Sequence, residues 1–217
     1  GSNFFTLLHW MQHPRIHTKL DSFHPTGASH HQKIVVIDDS LAFCGGIDMT
    51  SNRWDTREHL DDDPHRVAAA GKAYGPWHDA TTALNGPVAA ALAELARDRW
   101  QRAGGKPVMA LEQQHDCWPD DLSADFRDIP VGIARTRPNM PECPEIREIE
   151  ALFVAQIASA TTSIYAESQY FASRKIAEAI AARLGKPDGP EIIIVNPVTA
   201  EGWLEPVAMD TARARLF

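Results

Sequence analysis

The stretch from His30 to Gly46, HHQKIVVIDDSLAFCGG, constrains the fold of this chain more than any other part of its sequence. Residues 33–38 contain an unbroken β-branched run, which is typical of a strand covered on both faces. Residues 40–48 are typical of a neighbouring strand, and Asp39 and Ser40 form the tight connection. Gly45 and Gly46 allow a ligand or another backbone to approach this second strand closely.

Two basic residues stand at the start of the first strand. Side chains alternate along a strand, so His31 and Lys33 point to the same face and can converge on one small ligand. Gln32 points to the opposite face. Asp38 is out of phase with the basic pair, so we expect it to have a structural or hydrogen-bonding role.

Composition places the chain among ordinary globular proteins and excludes several classes. Its 217 residues, 44% of them hydrophobic, are enough to bury a core. A net charge of −8 argues against a general nucleic-acid binder but leaves room for a positive pocket that binds one phosphate. The three cysteines have no metal-type spacing, and no run of 18 apolar residues predicts a membrane span.

Strand-like and helix-like patterns alternate along the chain, which favours an α/β fold with a central sheet flanked by helices. Further strands are predicted at 15–21, 78–86, 131–136, 163–171 and 191–197. Helices are predicted from Gly86-Pro87 to about Arg102, over 145–160, and from Ser173 to Gly185. The first helix places its apolar residues on one face: Val88, Ala91, Leu92, Leu95 and Ala96.

A polar stretch rich in Asp interrupts the alternating strand-like and helix-like patterns and divides the chain into two halves. Residues 1–105 form the first half, residues 106–130 an irregular connection, and residues 131–217 the start of a second half. The polar, aperiodic segment after Asp48 is a loop longer than a compact domain usually contains without a use for it.

A neutral imidazole beside an ammonium group suits chemistry on a phosphodiester. The ammonium neutralises charge that builds on the non-bridging oxygens in the transition state. The imidazole is a good nucleophile when an acid on its other ring nitrogen fixes the tautomer, and the product is a phosphohistidine. Water or an alcohol then resolves the intermediate, and this chemistry requires neither a metal nor another cofactor.

The spacing His-x-Lys-x4-Asp-x6-Gly-Gly resembles the signature (HKD motif) of the phospholipase D superfamily, met here by His31, Lys33, Asp38, Gly45 and Gly46. The segments GGIDMTSNRWDTREH, PWHDATTALNGPVA and IYAESQYF also resemble transphosphatidylase-type phospholipases D, in that order. The resemblance implies a phospholipase D-like layered fold with a central mixed sheet. It favours a bacterial protein and a fragment that carries the first motif.

The resemblance also implies roles for single residues. The nucleophile position falls on His31, the phosphate-binding lysine on Lys33, and the acid that orients the histidine on Asp79. The resemblance also places the glycine pair and Asp48 among the residues that bind substrate. Many relatives have Asn at the position of Asp48, whereas the lipid-cleaving members closest to this sequence carry Asp.

Several other residues are candidates for substrate contact. Arg53 and Trp54 either line the entrance for headgroup or acyl chains or simply pack. Glu167 and Gln169 alternate on one strand face and are predicted to border the site at the junction of the halves. The segment LDDDPH (60–65) fits a solvated loop better than a calcium site, because it lacks EF-hand spacing.

The leaving alcohol needs a proton, which the family supplies from a second His-x-Lys motif. His17-x-Lys19 lacks the following aspartate and glycine pair, and no histidine follows His115. Either the chain is a fragment that lacks the C-terminal half, or a second copy of the chain completes the site.

The sequence therefore predicts a phospholipase D that hydrolyses phospholipid headgroups or exchanges them for alcohols, at a membrane surface and in lipid degradation. The alternatives are a homodimeric nuclease or other phosphodiesterase of the same superfamily, and a phosphate-binding fragment without turnover. We expect no nucleic-acid partner and a cytoplasmic or peripheral membrane location.

Overall fold

The apolar run after His31 forms the first strand of a three-stranded sheet in the computed structural model, which describes residues 9, 11–113 and 115–197. Strand β1 (Lys33–Ile37) pairs antiparallel with β2 (Leu41–Gly45), which pairs antiparallel with β3 (Thr81–Asn85). The register places Lys33 opposite Gly45 and Gly45 opposite Thr81. β2 is therefore the central strand, and its glycine end lies between the starts of β1 and β3.

The turn between β1 and β2 explains the two consecutive aspartates. Asp38 and Asp39 have φ values of 49° and 52°, and the amide of Ser40 donates to the carbonyl of Ile37 at 3.0 Å. This is the geometry of a primed hairpin turn, whose left-handed positions Asp tolerates better than most residues. The predicted tight connection is confirmed.

Helix α1 (Pro87–Arg102) packs against one face of this sheet. Ala42 of the central strand and Ala89 and Leu92 of the helix are the buried centre of the contact. Partly buried apolar residues surround them: Ile34, Val36, Cys44, Leu84 and Leu95. Because side chains alternate along β1, Lys33 and Val35 lie on the opposite face of the sheet.

The predicted bounds of α1 are confirmed, but its predicted buried face is partly wrong. Ala89, Leu92 and Ala93 are the buried residues, whereas Ala91 and Ala96 are exposed. The small side chains of Ala89 and Ala93 let the helix approach the sheet closely. The helix therefore buries the face that carries these two residues.

Two regions of the first unit are irregular. Residues 15–21 form no strand, contrary to the prediction, because none of the described strands pairs with them. At their end Asp21 Oδ1 accepts the amide of Phe23 at 3.0 Å and turns the chain locally. Within the described residues, the segment between β2 and β3 contains no regular element apart from a bridge between Val67 and Ala73.

The chain divides into two compact units, Gly1–Gly132 and Ile133–Phe217. The second unit contains β4 (Thr136–Arg137), β5 (Ile146–Arg147), α2 (Glu148–Ser159), β6 (Ser163–Glu167), α3 (Arg174–Leu184) and β7 (Glu191–Val195). β6 and β7 pair in parallel through the crossover helix α3, and α2 packs on α3 with Lys175 bound to Glu150 at 2.7 Å. The predicted strand at 131–136 is wrong except for Thr136, which belongs to the two-residue strand β4.

Both units mix helices and strands, so the prediction of an α/β protein is confirmed at that level. The strands of the described residues form three separate sheets in place of one central sheet. β1 to β3 are antiparallel because a tight turn and an irregular segment connect them, and neither is a crossover helix. Among the described helices, none combines the length and apolar character needed to cross a membrane.

Candidate active site

One end of the three-stranded sheet gathers three of the predicted catalytic residues. His31 precedes Lys33 by two residues, and Asp79 precedes Thr81 by two residues, while Lys33, Gly45 and Thr81 are in register. His31 and Asp79 therefore flank the end of β2 from either side. Strands lie about 4.8 Å apart, so the backbones of β1 and β3 are roughly 10 Å apart at this end.

The glycine pair lets neighbouring atoms approach the end of β2 more closely than any residue with a side chain would allow. A Cβ atom on Gly45 would lie 2.4 Å from Thr81 Cα, and one on Gly46 would lie 2.3 Å from Asp79 Oδ1. The amide of Gly46 donates to the carbonyl of Ala80 at 3.0 Å, and Asp79 Oδ1 accepts the amide of Ala80 at 2.7 Å. The glycines thus have a packing role here, and their contact with substrate stays a prediction.

The lysine of the motif binds the backbone of the histidine. Lys33 Nζ donates to the carbonyl of His31 at 3.1 Å. The Lys33 side chain is largely buried, at 12% exposure, whereas His31 is exposed. Lys33 therefore supports the backbone from which an accessible imidazole projects.

The residues before and after His31 in the sequence are both held by side-chain contacts, His30 with Asp21 and Gln32 with Arg99 of α1. His30 Nε2 lies 3.1 Å from Asp21 Oδ2, and Arg99 Nη1 donates to Gln32 Oε1 at 2.9 Å. Arg99 Nε also donates to Asp21 Oδ2 at 3.0 Å. Burial raises the pKa of Asp21, but the Phe23 amide, Arg99 and His30 outweigh it and hold that pKa below its usual range.

A second group of charges surrounds Lys33. Asp48 Oδ1 lies 3.2 Å from Lys33 Nζ, and Asp48 Oδ2 lies 3.7 Å from Arg53 Nη2. The guanidinium of Arg53 stacks 3.7 Å above the ring of Trp77. The structure therefore brings together Lys33, Asp48 and Arg53, and adds Trp77, which sequence reasoning did not single out.

A cleft of about 590 Å³ opens beside this group on the face of the sheet that α1 does not cover. Its polar wall consists of Gln32, Lys33, Asp48, Thr50 and Thr81. Apolar side chains supply most of the remainder, among them Val35, Phe43, Ile47 and Met49. The cleft thus offers a cation beside an apolar surface.

Two of the predicted site residues in the first unit make other contacts. Asp38 is at the far end of β1, about 17 Å along the strand from Lys33, and lies 3.6 Å from the ring of His115. Trp54 is half exposed; its carbonyl accepts the hydroxyl of Tyr74 at 2.9 Å and its ring meets His65 edge-on.

The other two candidates belong to the second unit. Glu167 ends β6 and accepts the hydroxyl of Tyr165 at 2.7 Å. Gln169 is exposed just beyond that strand. Their contact with substrate stays a prediction.

The irregular segment between β2 and β3 is organised around Asp55 and Arg66, which are 4% and 1% exposed. Arg66 Nη1 donates to Asp55 Oδ1 at 3.0 Å, while Asp55 Oδ2 accepts the Trp77 amide at 2.6 Å and lies 3.1 Å from His59 Nδ1. Burial raises the pKa of Asp55, but these hydrogen bonds and that of the Thr56 amide hold it well below its usual range. This anchor fixes the residues just before Asp79.

The acidic loop at 60–65 does not have the form of a metal site. Arg66 Nη2 occupies the carbonyls of Leu60 and Asp61, so a cation already binds the backbone oxygens there. Within the described part of the chain, no three His, Cys, Asp or Glu side chains are grouped to hold a metal ion.

Four residues described above were not predicted from the sequence, because their partners are distant in the chain: Asp21, Arg66, Trp77 and Arg99. For Trp77 one signal was present, namely its position two residues before Asp79 in the segment PWHD. Arg99 gave no such signal, because a helical arginine is usually a solvated residue.

The chain is similar to known proteins. A family model described as Phospholipase D matches residues 16–128. Phospholipase D alpha 1 of Arabidopsis thaliana is 30% identical over 198 residues, and phospholipase D alpha 1 of Ricinus communis is 31% identical over 194. Each alignment covers 66% of this chain and 24% of the relative, so the chain spans about a quarter of the length of these proteins.

Proposed function

The chain belongs to the phospholipase D family, and from this membership we propose that it cleaves phospholipid headgroups at a membrane surface through a phosphohistidine on His31. The observation that carries the proposal is the register of the three strands, in which Lys33, Gly45 and Thr81 are aligned. That alignment supports a site built from His31, Lys33 and Asp79 at one end of the sheet.

In the first step a ring nitrogen of His31 attacks phosphorus. A phosphorus–nitrogen bond forms as the bond to the headgroup oxygen breaks. Lys33 neutralises the charge that builds on the non-bridging oxygens. Asp79 accepts a hydrogen bond from the other ring nitrogen, which fixes the tautomer and stabilises the cation that forms.

The headgroup alcohol takes a proton as it leaves. We assign this proton to a second His-x-Lys site, either in the C-terminal half of a longer protein or in a second copy of this chain. In the second step water or an alcohol attacks phosphorus and returns its proton to the same group. The phosphorus–nitrogen bond then breaks, and His31 is released.

A substrate that needs no proton on its leaving group tests this proposal on the 217-residue chain alone. A short-chain phosphatidyl ester of p-nitrophenol has such a leaving group. We expect one equivalent of nitrophenol and an alkali-stable adduct on His31, detected by mass spectrometry under basic conditions.

The matched variants are His31→Gln and His17→Gln, since both histidines occur as His-x-Lys. We expect His31→Gln to abolish the adduct and His17→Gln to retain it. An adduct that survives in His31→Gln contradicts the proposal. Binding of the ester without any adduct would show a phosphate-binding fragment instead.

A further inference from the structure

We propose that Arg53, held on the ring of Trp77, is a second phosphate-binding cation, and that Asp48 occupies the anion position between Arg53 and Lys33 until a phosphodiester displaces it. The inference rests on the proposed function, because it concerns the same site. It assigns to Asp48 a competing role, which differs from direct contact with substrate.

The first observation is the position of the Asp48 carboxylate. Its two oxygens face two different cations, Lys33 Nζ at 3.2 Å and Arg53 Nη2 at 3.7 Å. The second distance is longer than a hydrogen bond, so Arg53 is not closed around the carboxylate. Asp48 is 48% exposed, so its side chain can leave towards solvent.

The second observation is a pair of buried donors. Among the described residues, neither Arg53 Nε nor Trp77 Nε1 has a hydrogen-bond acceptor, and both atoms are buried. A buried donor without an acceptor is costly and is uncommon in folded proteins. The two donors belong to side chains stacked on each other, and Arg53 also faces the carboxylate of Asp48. A phosphodiester that displaces Asp48 would bring non-bridging oxygens, which are strong acceptors, next to this stack.

The third observation is the rigidity of the support. The amide of Trp77 donates to Asp55 at 2.6 Å, and Asp55 is itself bound to the buried Arg66. The indole therefore has a fixed backbone, and the stacked guanidinium has a defined plane. A lysine at position 53 would keep the charge but lose the stacking and the planar pair of donors.

Anion binding by the 217-residue chain tests the inference without catalysis. Dimethyl phosphate is titrated into the wild-type chain and into the Asp48→Asn and Arg53→Lys variants, and binding is followed by NMR or calorimetry. We expect Asp48→Asn to bind about two- to fivefold more tightly, because the competing carboxylate of a partly exposed pair is gone. We expect Arg53→Lys to bind roughly tenfold more weakly.

Two matched variants control for net charge. Asp62→Asn and Arg57→Gln each change one exposed charge in the same segment, and we expect both to bind like the wild type. Weaker binding by Asp48→Asn, or wild-type binding by Arg53→Lys, would overturn the inference.

The outcomes separate this inference from the proposed function. If dimethyl phosphate binds as expected but no adduct forms on His31, the anion site stands and the proposed catalysis fails. If the adduct forms on His31 and Arg53→Lys binds and reacts like the wild type, the catalysis stands and the second cation fails.

Discussion

Gly45 and Gly46 are adjacent but make room for different atoms. The space beside Gly45 is filled by the backbone of β3, with Thr81 Cα and the Ala80 carbonyl closest. The space beside Gly46 is filled by the carboxylate of Asp79. The absence of a side chain at Gly45 therefore allows β2 and β3 to pair closely. The absence of a side chain at Gly46 leaves room for the carboxylate of Asp79, the acid proposed to orient His31.

Alanine at the two positions should separate stability from site geometry. We expect Gly45→Ala to lower the free energy of unfolding by about 1–3 kcal/mol, because its methyl group collides with backbone that cannot move aside. Chemical denaturation measures this cost. Gly75→Ala, where a Cβ meets nothing within 4 Å, is the control and should leave stability nearly unchanged.

For Gly46→Ala we expect little loss of stability and at least a tenfold slower formation of the His31 adduct, because one carboxylate rotates away at small cost. The rate of nitrophenol release measures it. A variant that reacts as fast as the wild type would show that the position of Asp79 does not matter to His31.

At the scale of elements, α1 is bound to both ends of the sheet by arginines. Arg97 pairs with Asp39 in the β1–β2 turn, and Arg99 binds Asp21 and Gln32 beside His31. The Arg97 guanidinium and the amide of Leu111 hold the pKa of Asp39 below its usual range. The apolar contact of Leu92 with Ala42 lies between these two ends.

Leu92 is the test of the apolar contact. It is 2% exposed, and we expect Leu92→Ala to lower the free energy of unfolding by about 2–5 kcal/mol, because a cavity remains against the sheet. Ala91→Ser changes an exposed residue on the same helix and should have almost no effect. Equal stabilities in denaturant would show that α1 is not packed on the sheet.

The segment between β2 and β3 should be sensitive to acid through Asp55. The folded pKa of Asp55 is depressed, so its contribution to stability is complete above the unfolded pKa of about 3.9. The contribution is lost as the pH falls from there towards the folded pKa. We expect stability to fall less steeply below about pH 4 in Asp55→Asn than in the wild type.

Unfolding curves at a series of pH values measure this slope, with Asp62→Asn as the exposed control. If Asp55→Asn is too unstable to compare, the exchange rate of the Trp77 amide in the wild type reports the same contact. The same pH dependence of stability in all proteins, or rapid exchange of the Trp77 amide at neutral pH, would contradict the proposed role of Asp55 in holding this segment.

At the scale of the whole molecule, the chain spans about a quarter of the length of the relatives it matches. Comparing substrates with two different leaving groups should show whether the chain depends on a proton donor that it does not itself supply. We expect release of nitrophenol, but choline release at least a hundredfold slower, because choline needs a positioned proton donor.

The dependence of choline release on protein concentration distinguishes the two sources of the donor. If two copies complete the site, specific activity rises with concentration and choline release rises with its square. If the donor belongs to a C-terminal half, release stays negligible at every concentration. Fast release that is linear in protein would contradict both.

Local patterns allowed much of this molecule to be predicted. The strand at 33–37 follows from its β-branched run, the strand at 41–45 from the tight connection before it, and the helix from Pro87 from its helix-start signal, all of which are properties of neighbouring residues. The strand at 81–85 lies within the predicted range 78–86. Strand alternation also placed Lys33 and Gln32 on different sides. The predicted strand at 15–21 was wrong because a weak alternation does not supply a partner strand, and none of the described strands pairs with these residues.

The sequence by itself determined the spacing of His31, Lys33, Asp38 and the glycine pair, since a covalent chain preserves spacing whatever its fold. Only the tertiary structure decided which of these residues share one end of the sheet, because that depends on the register of β1, β2 and β3. It also decided that Arg53 stacks on Trp77, 24 positions away, and that Asp48 lies between two cations. Such contacts depend on how an irregular segment folds back on itself, and no local period encodes that path.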